Sequence, residues 1–286
     1  MDSGRPLNMT HIHSAADYDH AAQIYAQRRW PVPSKVAALS QALRGHEYGR
    51  AIEVGCGTGD YSAALAAKFP TVAFFGFDIS FRMLRLAVAR GARARVLTAC
   101  AEETWPFSSH TSDFVFSVDV MQHLNDFPSF FREAGRVLCR GGTLALVTDS
   151  EEDIRSRSLG KLFPETLPIN FARYPKLGRL EQIAAETSME LVSQQNCSGY
   201  IDFDWQFIAA LQEKALSELR LISPEAHQAG MARVVTAQTR EEKWLSRTTM
   251  LLFRQTATAP AFAPARRAPG VGSDAAAHPR RGDRSG

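Results

Sequence analysis

Three glycines at alternate positions, Gly55, Gly57 and Gly59, follow a short apolar run from Ala51 to Val54 and precede a helical stretch from Asp60 to Phe69. Strand, tight loop and helix in that order can build a nucleotide-type site. Glycine lets the backbone take positive φ or approach a ligand closely, and a helix start offers unpaired N–H groups with partial positive charge. The spacing narrows the ligand. A GxGxxG dinucleotide fingerprint needs glycine where Asp60 stands, and a GxxxxGK[ST] phosphate loop needs a Lys-Ser/Thr pair that is absent. Glu53, just ahead of the loop, sets a carboxylate beside it, which suits a cationic or hydroxyl-rich ligand better than a pyrophosphate.

Further chemistry-bearing residues recur at the ends of later apolar runs. Asp78, about 20 residues downstream, is placed to accept bonds from ribose hydroxyls, a reading preferred over that of an ordinary helix-start carboxylate ahead of Ser80. Cys100, Ala101 and Glu102 follow the third run, where a backbone N–H and a polar side chain could read an adenine edge. Ser117 to Leu124 follow the fourth and include His123, a residue type that moves protons near neutral pH or simply ties down a turn.

The elements that must position these residues alternate between strand and helix patterns, which predicts an α/β fold with a mostly parallel sheet. Strands are expected at 51–54, 72–77, 95–98, 113–118, 143–147, 190–196 and 248–253. Helices are expected at 17–29, 34–43 with Ser34 as N-cap, 60–69, 80–90, 127–138 and around 180–187. The apolar face of 127–138 is the clearest of these, and Gly141-Gly142 is expected to end it. In such a sheet ligands sit outside the carboxyl ends of the strands, which gathers the scattered residues into one place.

The succession Glu53-Val-Gly-Cys-Gly-Thr-Gly59, Asp78-Ile79-Ser80, Cys100-Ala101-Glu102 with Trp105-Pro106-Phe107, His123-Leu124 and Val137-Leu138-Cys-Arg-Gly141-Gly142 resembles the class I S-adenosylmethionine-dependent methyltransferases. It is especially similar to their small-molecule branch, which includes quinone-biosynthesis methyltransferases. The resemblance covers residues 17–148 and the closing strand. It implies a Rossmann-like, doubly wound seven-stranded sheet with helices on both faces, S-adenosyl-L-methionine as cofactor, and transfer of its methyl group to O, N or C of a small metabolite. It further implies that Gly55, Cys56 and Gly57 hold the methionine part, with Glu53 near its amino group. Asp78 would hold the ribose, Ile79 would pack on adenine, Ala101 would bond the ring through its backbone, and Ser117 to Val120 would line the methionine side. Tyr25 and Arg29 match a segment near the cofactor carboxylate. Cys100 departs from the pattern: the family often has Asp there, and cysteine is a poor acceptor, so either Glu102 takes that contact or it is lost.

Two insertions, 149–177 and 197–247, are expected to cover the mouth of the site. The first carries Arg155, Arg157, Lys161, Arg173 and Lys176, a set that suits solvated surface or an anionic acceptor. The second carries Tyr200, Phe203, Trp205 and Phe207 ahead of a helix with Ile208, Leu211, Ala215 and Leu219, flanked by Asp202 and Asp204. Those aromatics suit a lipophilic pocket or packing on the sheet edge, and the aspartates an amine.

With 286 residues the chain has room for one elaborated α/β domain, expected at 16–256 between an unstructured leader, 1–15, and a tail, 257–286. The formal charge of +3 is concentrated in that tail, which leaves a near-neutral body and no charge argument for nucleic acid. No apolar run reaches the roughly 18 residues of a membrane span. Cys56, Cys100, Cys139 and Cys197 form no CxxC pair, which with a polar N-terminus points to free thiols in a reducing cytoplasm. A cofactor-binding regulator and an enzyme acting on a macromolecule are the other classes compatible with the loop. Ser117-Val118-Asp119-Val120 stands where an Asn/Asp-Pro-Pro-Tyr motif would mark the latter.

Overall fold

The computed structural model describes residues 15–44, 49–91 and 94–256. The tail, and the leader apart from Ala15, lie outside the described residues. Two helices, α1 (Ala15–Arg28) and α2 (Pro33–Arg44), precede the alternating units β1 (Arg50–Val54), α3 (Asp60–Lys68), β2 (Ala73–Asp78), α4 (Phe81–Ala89), β3 (Arg95–Thr98), β4 (Ser112–Val118), α5 (Phe127–Val137) and β5 (Leu138–Thr148). The first insertion folds as α6 (Glu151–Ser156), α7 (Ser158–Leu162) and α8 (Thr166–Arg173), and α9 (Leu177–Glu186) leads into β6 (Met189–Asn196). The second insertion holds β7 (Gly199–Ile201), α10 (Trp205–Gln212), α11 (Pro224–Thr239) and β8 (Trp244–Ser246) before β9 (Thr249–Gln255) closes the fold.

The main sheet has seven strands in the order β3-β2-β1-β4-β5-β9-β6, parallel except that β9 runs antiparallel to both of its neighbours. Period-two alternation sends neighbouring side chains to opposite faces. Ile52, Val54 and Val115 pack on one side with Phe130, Phe131 and Ile183, and Ala51, Phe114 and Phe116 on the other with Leu39 and Leu65. Burying these faces is what fixes α5 and α9 on one side and α2 and α3 on the other. A third cluster, built around Phe163, Phe203, Phe207 and Trp244, belongs to the insertions and joins them to each other.

Three local expectations change. The Ser34 side chain caps nothing: α2 begins at Pro33, whose fixed φ suits a first turn, and the Ser34 hydroxyl has no hydrogen-bond partner. The glycine pair does not end α5, because Leu138 passes straight from helix into β5. Gly142 instead lies where a Cβ would come within 2.9 Å of the Cys139 carbonyl oxygen and 3.2 Å of that of Asp113. The helix expected through Leu219 stops at Gln212, with Ala215 outside any helix and Leu219 in a short 3-10 segment, Ser217–Arg220.

Candidate cofactor and acceptor site

The glycine loop is fastened to the neighbouring strand by main-chain bonds. The Gly55 and Cys56 N–H groups donate to the Phe77 carbonyl at 2.9 and 3.0 Å, and the Gly57 N–H donates to Asp78 Oδ2 at 2.8 Å. All three loop glycines have positive φ, of 69°, 51° and 75°. At Gly55 a Cβ would meet Val120 Cγ2 at 2.5 Å, whereas at Gly57 it would meet nothing within 4 Å. The second position therefore faces open space, as a backbone that approaches a ligand must.

Glu53 stands beneath the loop, 2% exposed. Its Oε2 accepts from the Ser62 backbone at 3.0 Å and from the Ser62 hydroxyl, which braces the start of α3. Burial pushes the Glu53 carboxyl up to about 8 against those bonds, so a cationic group beside it would hold it ionised. Asp78 Oδ1 accepts from the Ser80 backbone at 2.8 Å, so this carboxylate serves the helix start and the glycine loop at once. Burial raises it too.

These groups open onto one cavity of about 310 Å³ beyond the carboxyl ends of β1, β2, β4 and β5. Every residue singled out above as cofactor-binding or catalytic lines it except Ser117. Ser117 is 1% exposed and held between Val54 and Leu146, inside the strand, and the wall is supplied instead by Val118, Asp119 and Val120 at the strand end. Glu102 is committed elsewhere: its Oε1 accepts from the Asn125 and Asp126 backbones at 2.5 and 2.6 Å, ordering the loop before α5. Next to it stands Cys100, a weak acceptor.

His123 lies in a 3-10 turn, Met121–His123, with the Tyr18 hydroxyl 2.9 Å from its ring nitrogens and Arg173 Nη2 3.4 Å from Nδ1. Tyr18 comes from α1, which is held on α4 by Asp19. That carboxylate accepts from the Ser80 hydroxyl at 2.5 Å and the Arg82 backbone at 3.1 Å. The far end of α1 is tied to α10 by Arg28 and Glu213, 2.6 Å apart. The helix thus straps the cavity from one side.

The lining of the cavity also carries ion pairs. Lys35 Nζ lies 2.6 and 2.8 Å from the Asp119 oxygens and Arg29 3.5 Å from the same carboxylate. Burial opposes its charge, but the two cations hold Asp119 below the usual carboxylate range. Asp119 adopts φ 56°, a conformation that Asp tolerates better than most residues. Arg157 pairs with Asp149 and lies 3.5 Å from Glu218. Burial pushes Asp149 up to about 6.

Both insertions line the same cavity, the first through Arg157, Leu159 and Tyr174 and the second through Phe207, Leu216 and Trp244. Tyr200 and Trp205 are instead 71% exposed, Asp204 caps α10 and Asp202 pairs with Lys243. Tyr18, Lys35, Asp149, Tyr174 and Glu218 were not legible as site residues. Asp149 alone had a signal, since it follows a strand end, and the others reach the cavity only through the packing of α1, α2 and the insertions.

A seven-stranded sheet of this order, with a glycine loop after β1 and a carboxylate at the end of β2, is the fold of the class I methyltransferases. A solved structure titled a putative methyltransferase from an antibiotic biosynthesis pathway of Anabaena variabilis superposes with a TM-score of 0.62, at 19% identity, over 79% of this chain and 98% of that one. A Haemonchus contortus phosphoethanolamine N-methyltransferase 2 in complex with S-adenosyl-L-methionine superposes at 0.53, with 18% identity, over 87% of this chain and 59% of that one. In sequence, residues 52–146 match the family described as Methyltransferase domain. A malonyl-[acyl-carrier protein] O-methyltransferase of Hahella chejuensis is 38% identical over 98 residues, 34% of this chain and 35% of that protein. The match thus spans about a third of that relative's length. Residues 52–146 thus match a methyltransferase domain, and the fold is that of the class I methyltransferases, whose cofactor is S-adenosyl-L-methionine. The residues present fit it: open space at Gly57 and the acids Glu53, Asp60 and Asp78 around the loop suit a ligand carrying an ammonium and a sulfonium.

Proposed function

We propose that this chain transfers a methyl group from S-adenosyl-L-methionine to an O, N or C atom of a small-molecule acceptor. The observation that carries the reading is the single cavity running from the acid-lined glycine loop to the walls supplied by both insertions. Cofactor and acceptor can then lie in one enclosed space. When bound, the cofactor supplies a methyl group already activated on a positively charged sulfur. The Gly55–Gly57 backbone and Glu53 hold its methionine part, Asp78 the ribose, Ile79 and Ala101 the adenine, and Tyr25 with Arg29 the carboxylate. Holding the acceptor atom in line at about 3–3.5 Å supplies most of the acceleration. The insertions and α1 keep water out.

His123 takes a proton where the acceptor must lose one. Arginine only donates, so Nδ1, the ring nitrogen facing Arg173, is an acceptor, and the Tyr18 hydroxyl lies 2.9 Å from both ring nitrogens. The test is incubation of the full-length protein with methyl-labelled cofactor and metabolite pools, followed by mass detection of labelled product. Label found in small molecules is the expected result. Label found only in macromolecules, including a carrier protein of the kind named for the Hahella relative, would overturn the small-molecule reading.

A further inference from the structure

We propose, resting on the methyl-transfer reading above, that the acceptor is an amphipathic carboxylic acid. Its carboxylate is drawn to the cations of the cavity wall, Arg157 and the rim arginines among them, and its apolar body lies on the wall supplied by the insertions and the segment after α1. Arg28, Arg29, Lys35, Arg157 and Arg247 all enter the lining, beside the acids Glu53, Asp60 and Asp78 around the glycine loop. Arg173 stands directly behind that wall, its Nη2 3.4 Å from His123 Nδ1 and 3.3 Å from Ser217 Oγ, and forms no salt bridge among the described residues. Its Nε and Nη1 are buried without a hydrogen-bond partner.

At the rim the ion pairs are oriented. Arg28 and Arg247 line the cavity, whereas their partners Glu213, Glu152 and Asp153 do not, so the positive member of each pair faces inward. The facing acids are Asp119, Asp149 and Glu218, and burial works against the charge of Asp149. The cofactor carboxylate accounts for Arg29 at most. Fields of one sign in an enclosed, weakly screened cleft raise the local concentration of the opposite charge and repel the like charge. A cationic acceptor is therefore disfavoured beside Arg157, the inward-facing rim arginines and Arg173.

Another part of the lining is apolar. Trp30, Leu159, Phe207, Leu216 and Trp244 line it, with the Phe207 and Trp244 rings edge-on at 5.1 Å and Trp30 against Phe207 at 6.3 Å. A wall of this kind takes a hydrocarbon or aromatic body, and acetate, which has none, would gain little.

The test uses the full-length protein and calorimetry. The demethylated cofactor is titrated first; absence of binding there sinks the methyl-transfer reading itself and is thereby told apart from failure of this inference. With that ligand saturating, 4-phenylbutanoate, its primary amide, 4-phenylbutylamine and acetate are titrated in turn. The acid is expected to bind about tenfold tighter than the amide or the amine, with acetate undetected. Arg157→Gln is expected to reduce that preference about fivefold. Glu218→Gln, which removes an opposing anion and leaves Arg157 paired with Asp149, is expected to increase it. Amide or amine bound as tightly as the acid, binding of none of the probes, or a preference unmoved by Glu218→Gln overturns the proposal.

Discussion

The Gly57 backbone N–H and the Asp78 carboxylate meet at 2.8 Å, joining the loop after β1 to the end of β2. One side chain thus holds the shape of the glycine loop and faces the cavity that the loop borders. Asp78→Ala removes both, and is expected to weaken binding of the demethylated cofactor by about 1–3 kcal/mol, the scale of a lost hydrogen bond to a charged group. Calorimetric titration checks this, and an unchanged curve would remove Asp78 from the site.

Gly55 and Gly57 are expected to respond differently to alanine. At Gly55 the new methyl would meet Val120 at 2.5 Å with φ at 69°, so thermal unfolding should shift down markedly. At Gly57 the methyl has room, so only the left-handed backbone is penalised, by about 1–2 kcal/mol. Cofactor affinity should nevertheless fall at Gly57, because the methyl enters the space bordering the loop. Equal stability for the two variants would argue against the geometry.

The buried Glu53 makes a pH prediction. Burial raises its carboxyl from the ordinary value of 4.5 in the unfolded chain to about 8 in the folded one, so folding favours the protonated form. The contribution of this group is fully present below about 4.5 and is lost as pH rises through about 8. Glu53→Gln should therefore flatten the fall in melting temperature of the ligand-free protein between those values. Cofactor binding to the unsubstituted chain near neutral pH should release a proton, which calorimetry in buffers of different ionisation enthalpy detects. The same slope in both proteins would count against it.

Lys35 is 6% exposed at its side chain and paired with Asp119 at 2.6 Å. Lys35→Met leaves the acid with only the more distant Arg29, and removing one member of a buried pair costs about 3–5 kcal/mol. Denaturant unfolding should report a loss near the lower end, since Asp119 is 23% exposed. A loss below about 1 kcal/mol would place the pair in the class of surface contacts.

Asp19 fastens α1 over the start of α4 through Ser80 and Arg82. Asp19→Ala is expected to speed proteolysis within α1 and to weaken cofactor binding while leaving the melting temperature of the body nearly unchanged. A uniform loss of stability instead would make α1 part of the core rather than a strap.

What the sequence by itself determined is local. A glycine at alternate positions after an apolar run, a carboxylate at the next strand end and an apolar helical stripe at 127–138 each have a physical meaning within a few residues, and the alternation of elements then orders them into a parallel sheet. The tertiary structure decided what depends on distant partners. Arg157 reads as a surface cation until Asp149 and Glu218 surround it, Lys35 reads as an ordinary helical residue until Asp119 folds against it, and Ser117 reads as a site residue until Val54 and Leu146 enclose its strand. Burial and charge pairing are properties of surroundings assembled from across the chain, so no spacing rule within one segment could supply them.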